Sequence, residues 1–188
     1  MKTSELIETD IECMREYATR LIAFAEELRL ESVSPRTRRG YGTNLHPIEI
    51  GHLIRPDLIC NIYSLLDFRL RTLCEHHEKK SPSTMKFEEF KKKDKNRSSD
   101  LDRYRRYFQT VVGIDLKPAQ AVFNQLDLLR RIRNSYIHSG GHPDDDTAKL
   151  LAVVPGVTMN ATLLVVTDAY IFESLENANQ YLHAIAQA

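Results

Sequence analysis

The chain has 188 residues, room for one domain and little more. With 28% charged and 42% hydrophobic residues it matches a folded globular protein, which excludes a disordered tail, a collagen-like repeat and a small disulfide scaffold. The formal net charge of zero conceals a segregation: residues 1–32 carry 4 Lys/Arg against 8 Asp/Glu, residues 139–188 carry 1 against 6, and the middle carries 21 against 12.

Residues 1–33 read as an N-terminal helix, strongest over 4–30. Ser4 is placed to cap it, Glu5 and Glu8 suit its first turn, and Ile7, Ile11, Met14, Ala18, Leu21, Ala25 and Leu28 recur every three or four positions. Residues 34–47, rich in Pro, Gly and polar side chains, read as a loop whose Arg36, Arg38 and Arg39 are candidates to touch a phosphate backbone. A second helix is expected over 56–77, with Pro56 in its first turn and an apolar face of Leu58, Ile62, Leu65, Leu66, Phe68, Leu70 and Leu73. Asp67 falls inside that helix, flanked by Leu66 and Phe68.

Residues 79–97 form a basic insertion, read as a solvated, mobile loop or as an RNA-tracking surface, with Lys91, Lys92 and Lys93 at its centre. Over 79–106 there are 11 basic and 5 acidic residues, so the local field favours phosphates although the whole chain is neutral. Ser98 or Ser99 caps a helix through 112, with Leu101, Tyr104, Phe108 and Val111 on one side. Pro118 opens the next helix, which buries Val122, Leu126, Leu129, Ile132 and Tyr136 and stops at Ser139, Gly140 and Gly141. A polar turn is expected over 142–146. A β-hairpin follows over 149–167, its strands LLAVV and ATLLVV flanking a PGVTMN loop. Asp168 starts a last helix with Ile171, Leu175, Ala178, Tyr181, Leu182 and Ile185 on its buried stripe. The fold class is mainly α: a single domain, a bundle of four to six helices with one late hairpin.

No apolar run approaches the roughly 18 residues of a membrane span; the longest, 150–154, stops at Pro155. The first ten residues are acidic and polar, unlike a signal peptide. Cys13, Cys60 and Cys74 are odd in number, contain no Cys-x-x-Cys pair and read as buried free thiols in a reducing compartment. The expectation is a cytoplasmic chain with no membrane partner.

The chemistry concentrates in RRIRNSYIHSGG. Arg133, Asn134 and His138 lie near the end of an amphipathic helix, with Arg130 and Arg131 one turn earlier. Each has a plain reading too, since arginines complement a helix C-terminus and a histidine there is commonly a cap or a surface side chain. Taken together, Arg133-Asn134-Ser135-Tyr136-Ile137-His138 resembles the defining motif of the HEPN superfamily, Arg followed after four to six residues by His, with a polar residue directly after the Arg. The resemblance covers about residues 48–188. Asp67 stands in an upstream apolar helix where family members more often carry Glu.

The resemblance implies a helical bundle acting as a metal-independent endoribonuclease, without cofactor, as a toxin or antiviral defence effector restrained by an antitoxin or another regulatory protein. It also admits a non-catalytic RNA- or nucleotide-binding or dimerisation module. RNA carries its own nucleophile, the 2′-hydroxyl, so proton transfer and charge stabilisation suffice. An imidazole ordinarily titrates near about 6.5, which suits His138 to proton transfer. Arg133 would offer a planar donor fork to the phosphoryl oxygens, Asn134 would orient the phosphate or the imidazole, and Asp67, if near, would hold the guanidinium. The products would be a 2′,3′-cyclic phosphate and a 5′-hydroxyl.

Five residues along a helix turn through about 500°, leaving Arg133 and His138 about 140° apart. Either the helix loosens before Ser139 or a second copy completes the site; the resemblance points to a homodimer. A metal site is disfavoured. Gly140 and Gly141 break the helix that would align His138 with His142, and Asp144, Asp145 and Asp146 read as a solvated turn. There is no phosphate-cradling glycine loop and no nucleophile elbow.

Overall fold

The computed structural model describes residues 3–33, 47–96 and 98–188. Four long helices build the core: α1 (Thr3–Val33), α2 (Pro47–Lys80), α5 (Gln120–Ser139) and α7 (Asp168–Ala186). α1 packs on α2 and α7, and α5 packs on both α2 and α7. Between them lie α3 (Phe87–Lys93), α4 (Asp100–Tyr107), α6 (Asp145–Leu151), and the hairpin of β1 (Val157–Asn160) and β2 (Leu163–Val166). Mainly helical, with a hairpin before the last helix, is thus correct. The seven helices among the described residues exceed the expected four to six because α3 and α6 occupy segments read as loop and turn. No helix among the described residues is long and apolar enough to cross a membrane.

The period of three to four turns apolar side chains to one side, and burial follows it. Ile7, Ile11 and Ala18 of α1 are buried, as are Leu58, Ile62, Leu66, Leu70 and Leu73 of α2 and all six stripe residues of α7. α1 starts one residue before its expected cap. α2 begins nine residues before Pro56, which sits inside the helix and supplies no amide hydrogen to the turn before it. Phe68 is a correction: placed on the buried face by the sequence reading, it is 58% exposed. Cys13 is another, being exposed, whereas Cys60 is half-buried and Cys74 buried. Arg69 is buried on α2, and its Nε donates to Asp10 Oδ2 of α1 at 2.6 Å, so the buried charge is paired.

The basic insertion is not wholly solvated loop. Phe87 is buried, stacks on Tyr104 at 4.5 Å between centroids and meets the edge of Tyr107 at 5.3 Å. Its backbone amide donates to Glu78 Oε1 at 2.8 Å, tying α3 to the end of α2. On the far side of α3, Arg106 of α4 donates to both oxygens of Asp94, at 2.7 and 2.5 Å, and also to Ser98 Oγ. Ser99 Oγ caps α4, accepting from the Asp102 amide, and a π-helical turn (Phe108–Val112) continues it to Gly113.

Two expectations near the C-terminus shift. The polar turn over 142–146 contains the start of α6, because Asp144 Oδ1 accepts from the Thr147 amide at 2.7 Å and caps it. The hairpin lies later than read: LLAVV is the end of α6 and the turn after it, while VTMN, read as loop, is β1. Register pairs Val157 with Val166 and Asn160 with Leu163 around a two-residue turn containing Ala161 at φ 55°. A five-residue apolar run does not declare its period, and here Leu151 is buried while Val153 is 83% exposed. Thr167 caps α7.

α5 runs unbroken to Ser139. Gly140, in the left-handed region at φ 59°, and Gly141 both donate their amides to the Ser135 carbonyl, ending the helix. The Gly141 carbonyl then accepts from Leu164, and the Tyr136 hydroxyl donates to the Leu164 carbonyl at 3.1 Å, which seats the hairpin against the helix end.

Candidate functional site

The last two turns of α5 and the start of α6 enclose a cavity of about 270 Å³. Arg130, Arg131, Asn134 and His138 line one wall, and Asp144 and Thr147 of α6 lie opposite. Helical spacing explains the gathering: 131, 134 and 138 are separated by three and four residues and share one face. His138 is exposed to the cavity side of the helix end.

Two arginines of that wall are tied at their base. Asp127 Oδ1 accepts from Arg130 Nε at 2.8 Å, and its Oδ2 accepts from Arg131 Nε at 2.9 Å. Burial alone would raise the Asp127 pKa, but the hydrogen bonds from Arg131 and Arg130 outweigh it and hold the carboxyl below its ordinary range. Asp144 is held low as well, first by the hydrogen bonds from Thr147, with the Arg131 charge a smaller contribution.

Arg133 does not line this cavity. Its Nη1 donates to Asn134 Oδ1 at 3.0 Å, and its guanidinium carbon stands 5.5 Å from the centroid of the Tyr63 ring on α2. Its Nε is buried without a hydrogen-bond partner among the described residues. The unbroken helix therefore keeps Arg133 and His138 on different faces, and loosening before Ser139 does not occur. Nor does Asp67 pair with Arg133: its charge acts on Tyr63, Arg71 and Tyr104. The Tyr63 hydroxyl is pushed up to about 12, chiefly by burial, with Arg130 and Arg133 opposing and Asp67 adding to the rise. Burial likewise raises the Cys60 thiol, and the Arg133 charge opposes it.

Of the other basic candidates, Lys92 and Lys93 are exposed on α3, whereas Lys91 is half-buried with its ammonium 5.6 Å from the Phe87 centroid. Arg36, Arg38 and Arg39 lie outside the described residues. No group of three or more His, Cys, Asp or Glu side chains is arranged to hold a metal among the described residues, and His142 Nδ1 lies 3.1 Å from the Thr162 carbonyl. Asp127 and Asp144 were missed by the sequence reading. The first had a signal, an acidic residue three and four positions before paired arginines; the second was legible only as one of three aspartates.

Comparisons with protein-family models, with curated proteins and with solved structures gave no match.

Proposed function

We propose that the protein is a metal-independent endoribonuclease of HEPN type that works as a homodimer. The observation that carries this reading is the single cavity shared by His138, Asn134 and two arginines. An imidazole, an amide and fixed positive charge are the groups that RNA cleavage by its own 2′-hydroxyl requires. His138 takes the 2′-hydroxyl proton as that oxygen bonds to phosphorus. The bond from phosphorus to the 5′-oxygen breaks, and the leaving oxygen takes a proton from solvent or from a second imidazole. The products are a 2′,3′-cyclic phosphate and a 5′-hydroxyl, and no redox partner or metal enters the balance.

One observation favours the second reading, a non-catalytic RNA- or nucleotide-binding module: within one chain Arg133 faces Tyr63 instead of His138. The two readings separate on a generic single-stranded RNA in excess EDTA. The nuclease is expected to generate cyclic-phosphate ends, and His138→Ala to slow cleavage by about 10²- to 10⁴-fold with an unchanged circular dichroism spectrum. Binding without cleavage would establish the module, and full activity in His138→Ala would remove the imidazole from the reaction.

A further inference from the structure

The end of α5 lines two cavities on opposite sides of the helix. The second, of about 270 Å³, lies between α5, the hairpin and the N-terminal half of α2. Tyr136 and Gly140 line it, whereas Asn134, Ser135 and Ser139 line the cavity that holds His138. We propose that this second cavity is a binding site for a small carboxylate with a branched aliphatic body, its carboxylate held by Arg55 and its body packed against Tyr136 and β2. The inference stands apart from the ribonuclease reading.

The walls are apolar because their polar groups are already engaged. Leu53, Pro56, Leu163, Val165 and Val166 supply aliphatic surface. Tyr136 supplies only its ring, since its hydroxyl donates to the Leu164 carbonyl at 3.1 Å. The Leu164 amide is committed too, to the Gly141 carbonyl at 2.9 Å. Leu164 thus turns its backbone groups away from β1, so those of Leu163 and Val165, one residue to either side, are used in the ladder with β1. Leu53 stands at the rim, 70% exposed, where a bound aliphatic body would cover it.

Against these walls stands one charge. Among the described residues Arg55 is the only charged side chain of the lining. Its Nε donates to Oδ1 of Asp168, the first residue of α7, at 2.8 Å, and Asp168 itself does not reach the lining. That contact fixes the guanidinium by one edge and leaves both terminal nitrogens without a hydrogen bond to any described residue. Those two nitrogens form a fork that meets two carboxylate oxygens at once. Burial raises the pKa of the Tyr136 hydroxyl and the Arg55 charge opposes the rise, so the guanidinium acts on the α5 wall as well as on Asp168. Mostly apolar walls with one polar group to fix orientation are the usual make-up of a small-molecule site. The volume falls just under the roughly 300–1,000 Å³ of drug-sized sites, which suits a body of about five or six carbons.

Isothermal titration of the chain with 4-methylpentanoate, 4-methylpentanamide and acetate tests the assignment. 4-Methylpentanoate is expected to bind with a Kd of about 1 mM or tighter, at least about tenfold below the amide, which lacks the charge, and acetate, which lacks the body. Arg55→Met together with Asp168→Asn removes both charges of the pair, and the acid should then bind no better than the amide. Val165→Trp fills the cavity from β2, where a large aromatic suits a strand, and should abolish binding of acid and amide alike. Leu53→Asp, at an exposed position, puts a like charge at the rim and should weaken the acid by about tenfold while sparing the amide. Circular dichroism and thermal unfolding establish that each variant is folded; where Val165→Trp is not, Leu53→Asp tests the location. Absence of saturable 4-methylpentanoate binding below about 10 mM overturns the site. So does equal affinity for acid and amide, an acid preference that survives the loss of Arg55, or unchanged binding in the cavity variants.

Discussion

Asp144 does two things at once, and they separate by a single atom. Its carboxylate caps α6 through the Thr147 amide, and its negative charge faces the cavity wall that holds Arg131. Asparagine caps a helix about as well as aspartate but brings no charge. Asp144→Asn is therefore expected to leave the unfolding temperature within about 2 °C of wild type while tightening RNA binding by about threefold at low salt. Equal affinity would place the bound phosphate away from α6. The same residues show where sequence reasoning reaches its limit. The 140° between Arg133 and His138 follows from chain positions alone, and so does the near alignment of Arg131 with His138. The motif's spacing of four to six residues admits both arginines, and only the packing of α2 reveals that the Tyr63 ring already holds Arg133.

At the scale of elements, the long helices were legible because each buries a stripe against at least two neighbouring helices, and periodicity survives that kind of burial. α3 was not, since three consecutive lysines mask its aromatic anchors, Phe87 and Phe90, whose partners Tyr104 and Tyr107 lie in α4. The hairpin was placed a few residues early for the opposite reason: both LLAVV and VTMN carry apolar side chains, and only tertiary contact decides which pairs. The attachment of α3 makes an acid-sensitive joint. The hydrogen bond from Arg106 holds the Asp94 carboxyl below its ordinary range, with burial opposing. A carboxyl whose folded pKa is depressed contributes fully above its unfolded value of about 3.9, and that contribution is lost as the pH falls through the lower folded value. Asp127 carries a shift of the same sign. Proteolysis within α3, at Phe87 and Phe90, is therefore expected to stay slow down to about pH 4 and to accelerate below it, measured with an acid-active protease. Asp94→Asn should already be cleaved readily at about pH 5 and show a flatter acid dependence; an unchanged profile would mean that the aromatic contacts and the Glu78 bond hold the helix without Asp94.

The whole molecule gives the charge segregation a spatial form. α1 and α7, which belong to the two acidic ends, pack together and are bridged by Arg15 and Glu176 at 3.3 Å, so the negative excess at both ends of the sequence gathers on neighbouring helices. The basic middle supplies α3 and the arginine wall of α5. If the proposed ribonuclease reading holds, RNA affinity on such a surface comes largely from released counterions, and its logarithm falls linearly with the logarithm of salt, by about 0.7 per phosphate neutralised on a single strand. If Arg130, Arg131, Lys92 and Lys93 each meet a phosphate, the slope is close to about −3. On the ribonuclease reading, in which these side chains would track the backbone away from the reacting phosphate, replacing the two exposed lysines, Lys92→Gln with Lys93→Gln, should make it shallower by about 1.4 while leaving kcat on bound RNA unchanged. Lys91, drawn over the Phe87 ring, belongs more to the packing of α3 than to its surface. A slope indifferent to the double substitution would take α3 out of the RNA path and confine the contact to the cavity at the end of α5.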